Sequence, residues 1–265
     1  MYETNYHRAS SVADAVKLLK KAEDPKILAG GMTLIPTMKQ RLASPSDLVD
    51  ITKIADLSGI KVSGKTVTIG AATTHFDVAV SEKLAKVCPA LCALASHIGD
   101  PHVRYRGTIG GSISNNDPAA DYPSAMLALN ANIVTDKRVI AADKFFKGLF
   151  ETSLKDGEIV TAIEFTAPAK AAYSKFPNPA SRYAMAGVFV AKDKDGVRVA
   201  VTGAGESGVF RHKGLEAALD KTFDAASVDA VKVDAKGLMS DMHATADYRA
   251  ALIKVMAKRA VIAAG

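Results

Sequence analysis

The sequence predicts an α+β protein in two domains, residues 1–168 and 169–265, and three observations carry that prediction. Segments of helical period alternate with short strand-like runs up to Phe165. Two glycine-rich turns, Ala29-Gly30-Gly31-Met32-Thr33-Leu34 and Thr108-Ile109-Gly110-Gly111-Ser112-Ile113, punctuate that part, with Gly30 and Gly110 separated by 80 residues. The connector Ala167-Pro168-Ala169-Lys170 then gives way to a hairpin and a helical tail, the pattern of a small sheet covered by helices.

From Ser10 to Ala22, apolar residues recur at Val12, Ala15, Val16, Leu19 and Ala22 behind capping serines, which predicts an amphipathic helix. Pro25 closes it, Ile27-Leu28-Ala29 forms a strand running into the first glycine turn, and a helix is expected from about Ile35 to Leu42. Leu48-Val49-Asp50-Ile51 reads as a strand, and Ile60–Val62 pairs with Val67–Ile69 across Ser63-Gly64-Lys65. Thr73 to Ile98 keeps a helical period until Gly99-Asp100-Pro101 stops it. After the second turn, Asp117-Pro118-Ala119-Ala120-Asp121-Tyr122-Pro123 prepares a helix through Leu129, followed by strands near Ile133–Ile140 and Ile159–Phe165. In the second domain Met185–Lys192 and Val197–Thr202 form a hairpin about Asp193-Lys194-Asp195-Gly196, and Ala246–Ala263 is helical.

Composition narrows the function classes. Hydrophobic residues make up 48% and charged residues 23%, the balance of a globular chain with a sizeable core. The formal net charge is +6, but the cations are dispersed, which argues against a nucleic-acid surface. The first residues lack the apolar centre of a secretory signal, and no apolar run approaches the ~20 residues of a transmembrane segment. A cytoplasmic protein is expected. The only cysteines are Cys88 and Cys92, too few for an iron–sulfur cluster, and they read as buried, reduced thiols on an apolar segment where Pro89 starts or breaks a helix. None of the six histidines has metal-site spacing, no G-x-S-x-G elbow is present, and neither a metal site nor a catalytic acid–base residue is assigned.

The glycine turns carry the chemistry. Glycine lets backbone amides approach a phosphate closely, and Thr33, Thr108 and Ser112 add hydroxyl donors, so two such turns suit a diphosphate held between them. A side chain at Gly30 or Gly110 is then expected to collide with the diphosphate or force an unfavourable φ. Either turn taken alone also reads as a tight turn. G-x-G-x-x-G and G-x-x-x-x-G-K-[ST] are absent near the first turn, which disfavours a nicotinamide-binding Rossmann unit. Near the second turn stand Arg104, Arg106, Ser114, Asn115, Asp117 and Asp121. Asp121 either accepts hydrogen bonds from ribose hydroxyls or caps the helix that begins near Tyr122.

Taken together, Ile27–Pro36, Gly70-Ala71-Ala72-Thr73-Thr74-His75, and Arg104–Ser112 continuing to Asp117-Pro118-Ala119-Ala120-Asp121 resemble the flavin-binding medium subunit of the molybdenum hydroxylases, the carbon monoxide dehydrogenase and xanthine dehydrogenase family. The resemblance implies a two-lobed FAD-binding domain of the vanillyl-alcohol-oxidase type, followed by a small α+β carboxyl-terminal domain. By it, Ile27, Leu28, Ala29, Gly30, Gly31, Met32, Thr33 and Leu34, with Thr108, Gly110, Gly111, Ser112, Ser114 and Asn115, grip the diphosphate and ribityl chain. Asp121 lies near the adenosine ribose, and Ile98, Gly99, Ile159 and Val160 line the cofactor. Lys175 matches a lysine near the flavin, and Tyr183 falls where a residue can shield the isoalloxazine. Met32 and Arg182 depart from many relatives, which have His or another residue and Asp, respectively, at those positions.

The resemblance also implies non-covalent FAD on this chain, with 2Fe–2S clusters on a small partner and molybdopterin on a large one, assembled as a dimer of heterotrimers. The expected role is electron transfer from the clusters to an external acceptor, with substrate oxidation on a partner chain. A self-contained FAD-dependent oxidase or dehydrogenase is the alternative, and it would need a tuned acid or base against the flavin. A binding module in which both glycine turns are only turns is a third reading.

Overall fold

A computed structural model describes all 265 residues. The chain starts with a parallel three-stranded sheet in which Asp47–Asp50 lies between Asn5–Arg8 and Pro25–Leu28. The helix Val12–Lys21 crosses between the two outer strands. The Ser11 side chain accepts the Asp14 amide at its start, and Lys20 and Lys21 sit in its last turn, where the helix dipole favours cations. Ala15 and Leu19 are buried in one cluster with Val49 and Ile51, as the 3.6-residue period requires.

A five-stranded antiparallel sheet follows, ordered Ile60–Ser63, Thr66–Gly70, Val160–Thr166, Asn132–Thr135, Val139–Ala141. Its helices fill the largest core, where Ile69, Leu84, Leu91, Leu94, Ile109, Ile113, Tyr122 and Met126 are fully buried. The third sheet is antiparallel: Lys170–Pro177, Ala184–Asp193, Gly196–Thr202 and Phe210–Arg211 in that order. The helix Ala246–Ala264 packs on it, burying Ile253, Met256 and Ala260 with Val188 and Val190. Phe189, Ala191 and Ala200 belong instead to the core of the five-stranded sheet, so the strand Ala184–Asp193 is buried on both faces. No helix is long and apolar enough to cross a membrane.

Four sequence expectations are corrected. The helical stretch 73–98 is three helices, His75–Ala79, Glu82–Ala85 and Pro89–Ser96, because the Ser81 hydroxyl caps the second and Pro89 can only begin the third. Cys88 therefore precedes the helix that contains Cys92; both thiols are free and buried, and burial pushes that of Cys88 up to about 12. The strand near Ile133–Ile140 is a hairpin. The helix after the first glycine turn spans Leu34–Lys39 and stops short of Leu42, since Arg41 takes a left-handed φ of 61°. The second glycine turn is no loop: Gly110, Gly111 and Ser112 lie in the first turns of the helix Ile109–Asn115.

Candidate functional site

A cleft of about 800 Å³ lies where the three larger sheets meet, toward the upper end of the ~300–1,000 Å³ of small-molecule sites. One wall is the first glycine turn, at the end of the strand Pro25–Leu28. Gly31 takes φ +71°, a conformation open to glycine. The amides of Ala29, Gly30, Gly31, Met32 and Thr33 find no hydrogen-bond acceptor in the chain. Successive unpaired amides on one turn make a concavity suited to an anion. Ile27 and Leu34 flank this turn and line the same cleft.

The opposite wall is the helix Ile109–Asn115, and its amides are already spent. Ile109 donates to Thr73, Gly110 to Ala71, Gly111 to the Thr108 hydroxyl and Ser112 to the Thr108 carbonyl. What this wall offers is side chains: Ser112, Ser114 and Asn115 line the cleft and make no intramolecular side-chain hydrogen bond. Each wall is packed through a glycine against backbone behind it, the first on the end of the helix Pro101–Arg106 and the second on Ala71. A Cβ at Gly30 would stand 2.0 Å from the Arg106 carbonyl oxygen, and one at Gly110 2.6 Å from Cβ and carbonyl oxygen of Ala71. A side chain at either of these glycines would thus collide with the protein's own backbone or with the Ala71 side chain.

Ile98, Gly99 and Asp100 close one end, with Asp100 capping the helix Pro101–Arg106 through the Val103 amide. Ile159 and Val160 contribute the floor. Asp136 fixes the Ile159 amide at 2.7 Å, and Arg138 pairs with the preceding Glu158, whose side chain is fully buried; this pairing holds the Glu158 carboxyl down at about 2. The carboxyl-terminal sheet supplies the rim through Ala180, Ser181, Arg182 and Tyr183, in the loop that joins its first two strands. Arg182 there has φ +63° and Tyr183 is 47% exposed.

Every residue predicted for the site lines the cleft except Leu28 and Lys175. Leu28 packs beneath the turn, its Cδ1 3.1 Å from where a Gly31 Cβ would stand. Lys175 is buried behind the wall, 3.0 Å from the Asp121 carboxylate. Asp121 makes no capping bond to the helix Tyr122–Ala128. It accepts from Lys175 and from the Tyr173 hydroxyl, while its burial pushes the carboxyl above the usual range.

Sequence reasoning passed over Ile51, His75, Val103 and Gly107, which also line the cleft. His75 ends one of the stretches that carry the resemblance. Burial, with the nearby Arg104 charge, lowers its pKa to about 4, so it is neutral at pH 7. Its Nδ1 and the Tyr122 hydroxyl are both buried without a partner.

Residues 2–168 match the family described as the FAD binding domain in molybdopterin dehydrogenase. The chain belongs to that family. It is 37% identical to the carbon monoxide dehydrogenase medium chain of Hydrogenophaga pseudoflava over 98% of this chain and 96% of the relative. It is 35% identical to the corresponding medium chain of Afipia carboxidovorans, over 97% and 95%. The solved carbon monoxide dehydrogenase of Hydrogenophaga pseudoflava that lacks the Mo-pyranopterin moiety superposes with a TM-score of 0.90, covering 99% of this chain and 97% of that one. The fold is thus α+β, with a two-lobed FAD-binding region of the vanillyl-alcohol-oxidase type before a smaller α+β region. The protein is an FAD-binding medium subunit of the carbon monoxide and xanthine dehydrogenase type, an oxidoreductase component.

Proposed function

We propose that this chain holds one non-covalent FAD in the cleft and passes electrons from the iron–sulfur clusters of a small partner to an external acceptor. A large molybdopterin-bearing partner oxidises the substrate, and the assembly is a cytoplasmic dimer of heterotrimers. The observation that carries the reading is the run of five acceptor-less amides, Ala29 to Thr33, on a cleft of about 800 Å³. Bound FAD would supply the one- and two-electron chemistry.

The chain's own residues bind and orient. The turn 29–33 takes the diphosphate through its amides, and Thr108, Ser112, Ser114 and Asn115 present polar groups from the facing helix. Gly99, Ile98, Ile159 and Val160 exclude water along the cofactor, and Tyr183 covers the ring side from the rim. Residues 1–168 and 169–265 act as two domains meeting at the site. The cleft-lining groups also weigh against a self-contained oxidase: His75 is held as a neutral imidazole and Asp121 is committed to two partners, which leaves neither poised as a base near pH 7.

The test is purification and acid precipitation. The isolated chain should be yellow, release one equivalent of FAD to the supernatant, bleach with dithionite, and turn over no aldehyde, purine or alcohol unless its partners are added. A colourless chain that takes up no FAD, or sustained substrate oxidation by this chain alone, would overturn the reading.

A further inference from the structure

Asp121 lines the cleft while only 5% exposed, and its carboxylate is held from the far side. The Tyr173 hydroxyl donates to it at 2.5 Å and the Lys175 ammonium stands 3.0 Å away. Both residues belong to the strand Lys170–Pro177 of the carboxyl-terminal sheet. The Lys175 side chain is 2% exposed and also donates to the His97 carbonyl.

The neighbouring strand is shaped for this arrangement. Lys175 pairs in register with Gly187, and a Cβ at Gly187 would lie 2.3 Å from the Tyr173 hydroxyl oxygen. Glycine weakens the interior of a strand, and it commonly marks a place where another group must come close. Here the group is a phenol oxygen. A phenylalanine ring at 173 could keep the packing on Phe189, whose ring centroid is 6.1 Å away, without the hydroxyl. The hydroxyl's one hydrogen bond within the chain goes to Asp121.

We propose that Tyr173 is a positioning residue of the cofactor cleft: its hydroxyl, together with Lys175, fixes the Asp121 carboxylate so that the remaining lone pairs meet hydroxyl groups of the bound dinucleotide. This rests on the FAD reading above. An ionised carboxylate offers about four lone-pair positions, and Tyr173 and Lys175 take two. Burial favours the protonated acid, which would replace an acceptor by a donor; Lys175 and the Tyr173 hydroxyl oppose this, and a charged His97 acts in the same sense. Tyr122 and Tyr183, the other titratable neighbours, stay neutral, their pKa values raised by burial and by this carboxylate. The cleft wall formed by residues before 168 is thus braced from behind by two side chains that follow it.

The test is FAD titration of the full apo-chain, read by flavin fluorescence from about pH 5 to about pH 9. Tyr173→Phe should keep the far-UV circular dichroism, weaken FAD about tenfold at pH 7, and move the acid edge of binding up by about one pH unit. Gly187→Ala, which retains the hydroxyl but displaces it, should act in the same direction. In an Asp121→Asn background Tyr173→Phe should cost nothing further. A wild-type chain that binds no FAD overturns the flavin reading and this inference with it. Wild-type binding with unchanged affinity and acid edge in folded Tyr173→Phe overturns this inference alone, as does an undiminished effect beside Asn at 121. Loss of the native spectrum in both Tyr173→Phe and Gly187→Ala assigns the hydroxyl to folding and likewise overturns it.

Discussion

Between Ala29 and Thr33 the backbone amides of one cleft wall have no acceptor in the chain, whereas those of Ile109, Gly110 and Gly111 on the facing wall are bonded to Thr73, Ala71 and the Thr108 hydroxyl. Both stretches read Gly-Gly followed by a hydroxyl residue within two positions. The first uses Gly31, through a positive φ, to expose the backbone, while Gly30 lets the turn pack on the Arg106 carbonyl. The second uses Gly110 to let a helix start against Ala71, and so presents side chains rather than amides to the cleft. A glycine pair thus reports close approach of something, and only the neighbouring backbone tells whether that is a ligand or the protein itself.

The largest effects should come from the glycines at which the walls press on backbone behind them, Gly30 on Arg106 and Gly110 on Ala71. Gly30→Ala and Gly110→Ala place Cβ 2.0 and 2.6 Å from backbone or Cβ atoms that have no rotamer to yield. Each should cost about 3 kcal/mol and lower Tm by about 10 °C, with flavin lost in proportion to fold. Differential scanning calorimetry beside flavin content checks this. A Gly110→Ala protein that melts like the wild type but is colourless would show that the second wall binds through its backbone after all, and the contrast would be broken.

Gly31→Ala tests the first wall by itself. The left-handed φ costs an alanine about 1–2 kcal/mol, and its Cβ would press on Ile35 and Leu28 at 3.0 and 3.1 Å. The drop in Tm should be about half that of Gly30→Ala, yet FAD affinity should fall at least about tenfold, because the turn that aligns the five amides must shift. Unchanged affinity in a folded variant would remove the anion-binding role of this turn.

Part of the site was legible because its signals are local. The turn 29–34, the hydroxyls at 112 and 114, and the Ile98-Gly99 stop each sit in a short stretch whose composition states its use. The break at Pro89 was legible from the proline itself, whereas the cap residue Ser81 was masked by a continuous apolar period. Other features depend on partners far along the chain. Lys175 turns from the cleft because Asp121, 54 residues earlier, takes its charge. Nothing near Gly110 announces that Ala71 will supply both its acceptor and its steric limit. His75 enters the cleft wall through a bridge between Thr74 and Thr108, a pairing no periodicity reveals.

Thr108→Ala sharpens the contrast from the other direction. Its hydroxyl caps the helix Ile109–Asn115 by accepting the Gly111 amide at 3.1 Å. Losing that cap should cost about 1 kcal/mol and about 2–4 °C in Tm. It also frees one amide on the wall that otherwise has none to spare, so FAD affinity should fall less than in Gly31→Ala.

The smallest effects belong to Ser112→Ala and Ser114→Ala, and they discriminate most finely. Neither hydroxyl has a partner within the chain, and both residues are partly exposed on the cleft, so removing either should leave Tm within about 1 °C of wild type. If this wall binds through side chains, each variant should weaken FAD by a few-fold, the ~0.5–1.5 kcal/mol of a neutral hydrogen bond. The two losses should add in the double variant, since the hydroxyls share no partner. Equilibrium titration of apo-protein at one pH measures all three variants against the wild type. Full affinity in the double variant would leave the helix Ile109–Asn115 as a spacer that shapes the cleft, with the amides of 29–33 as the one polar grip on the diphosphate.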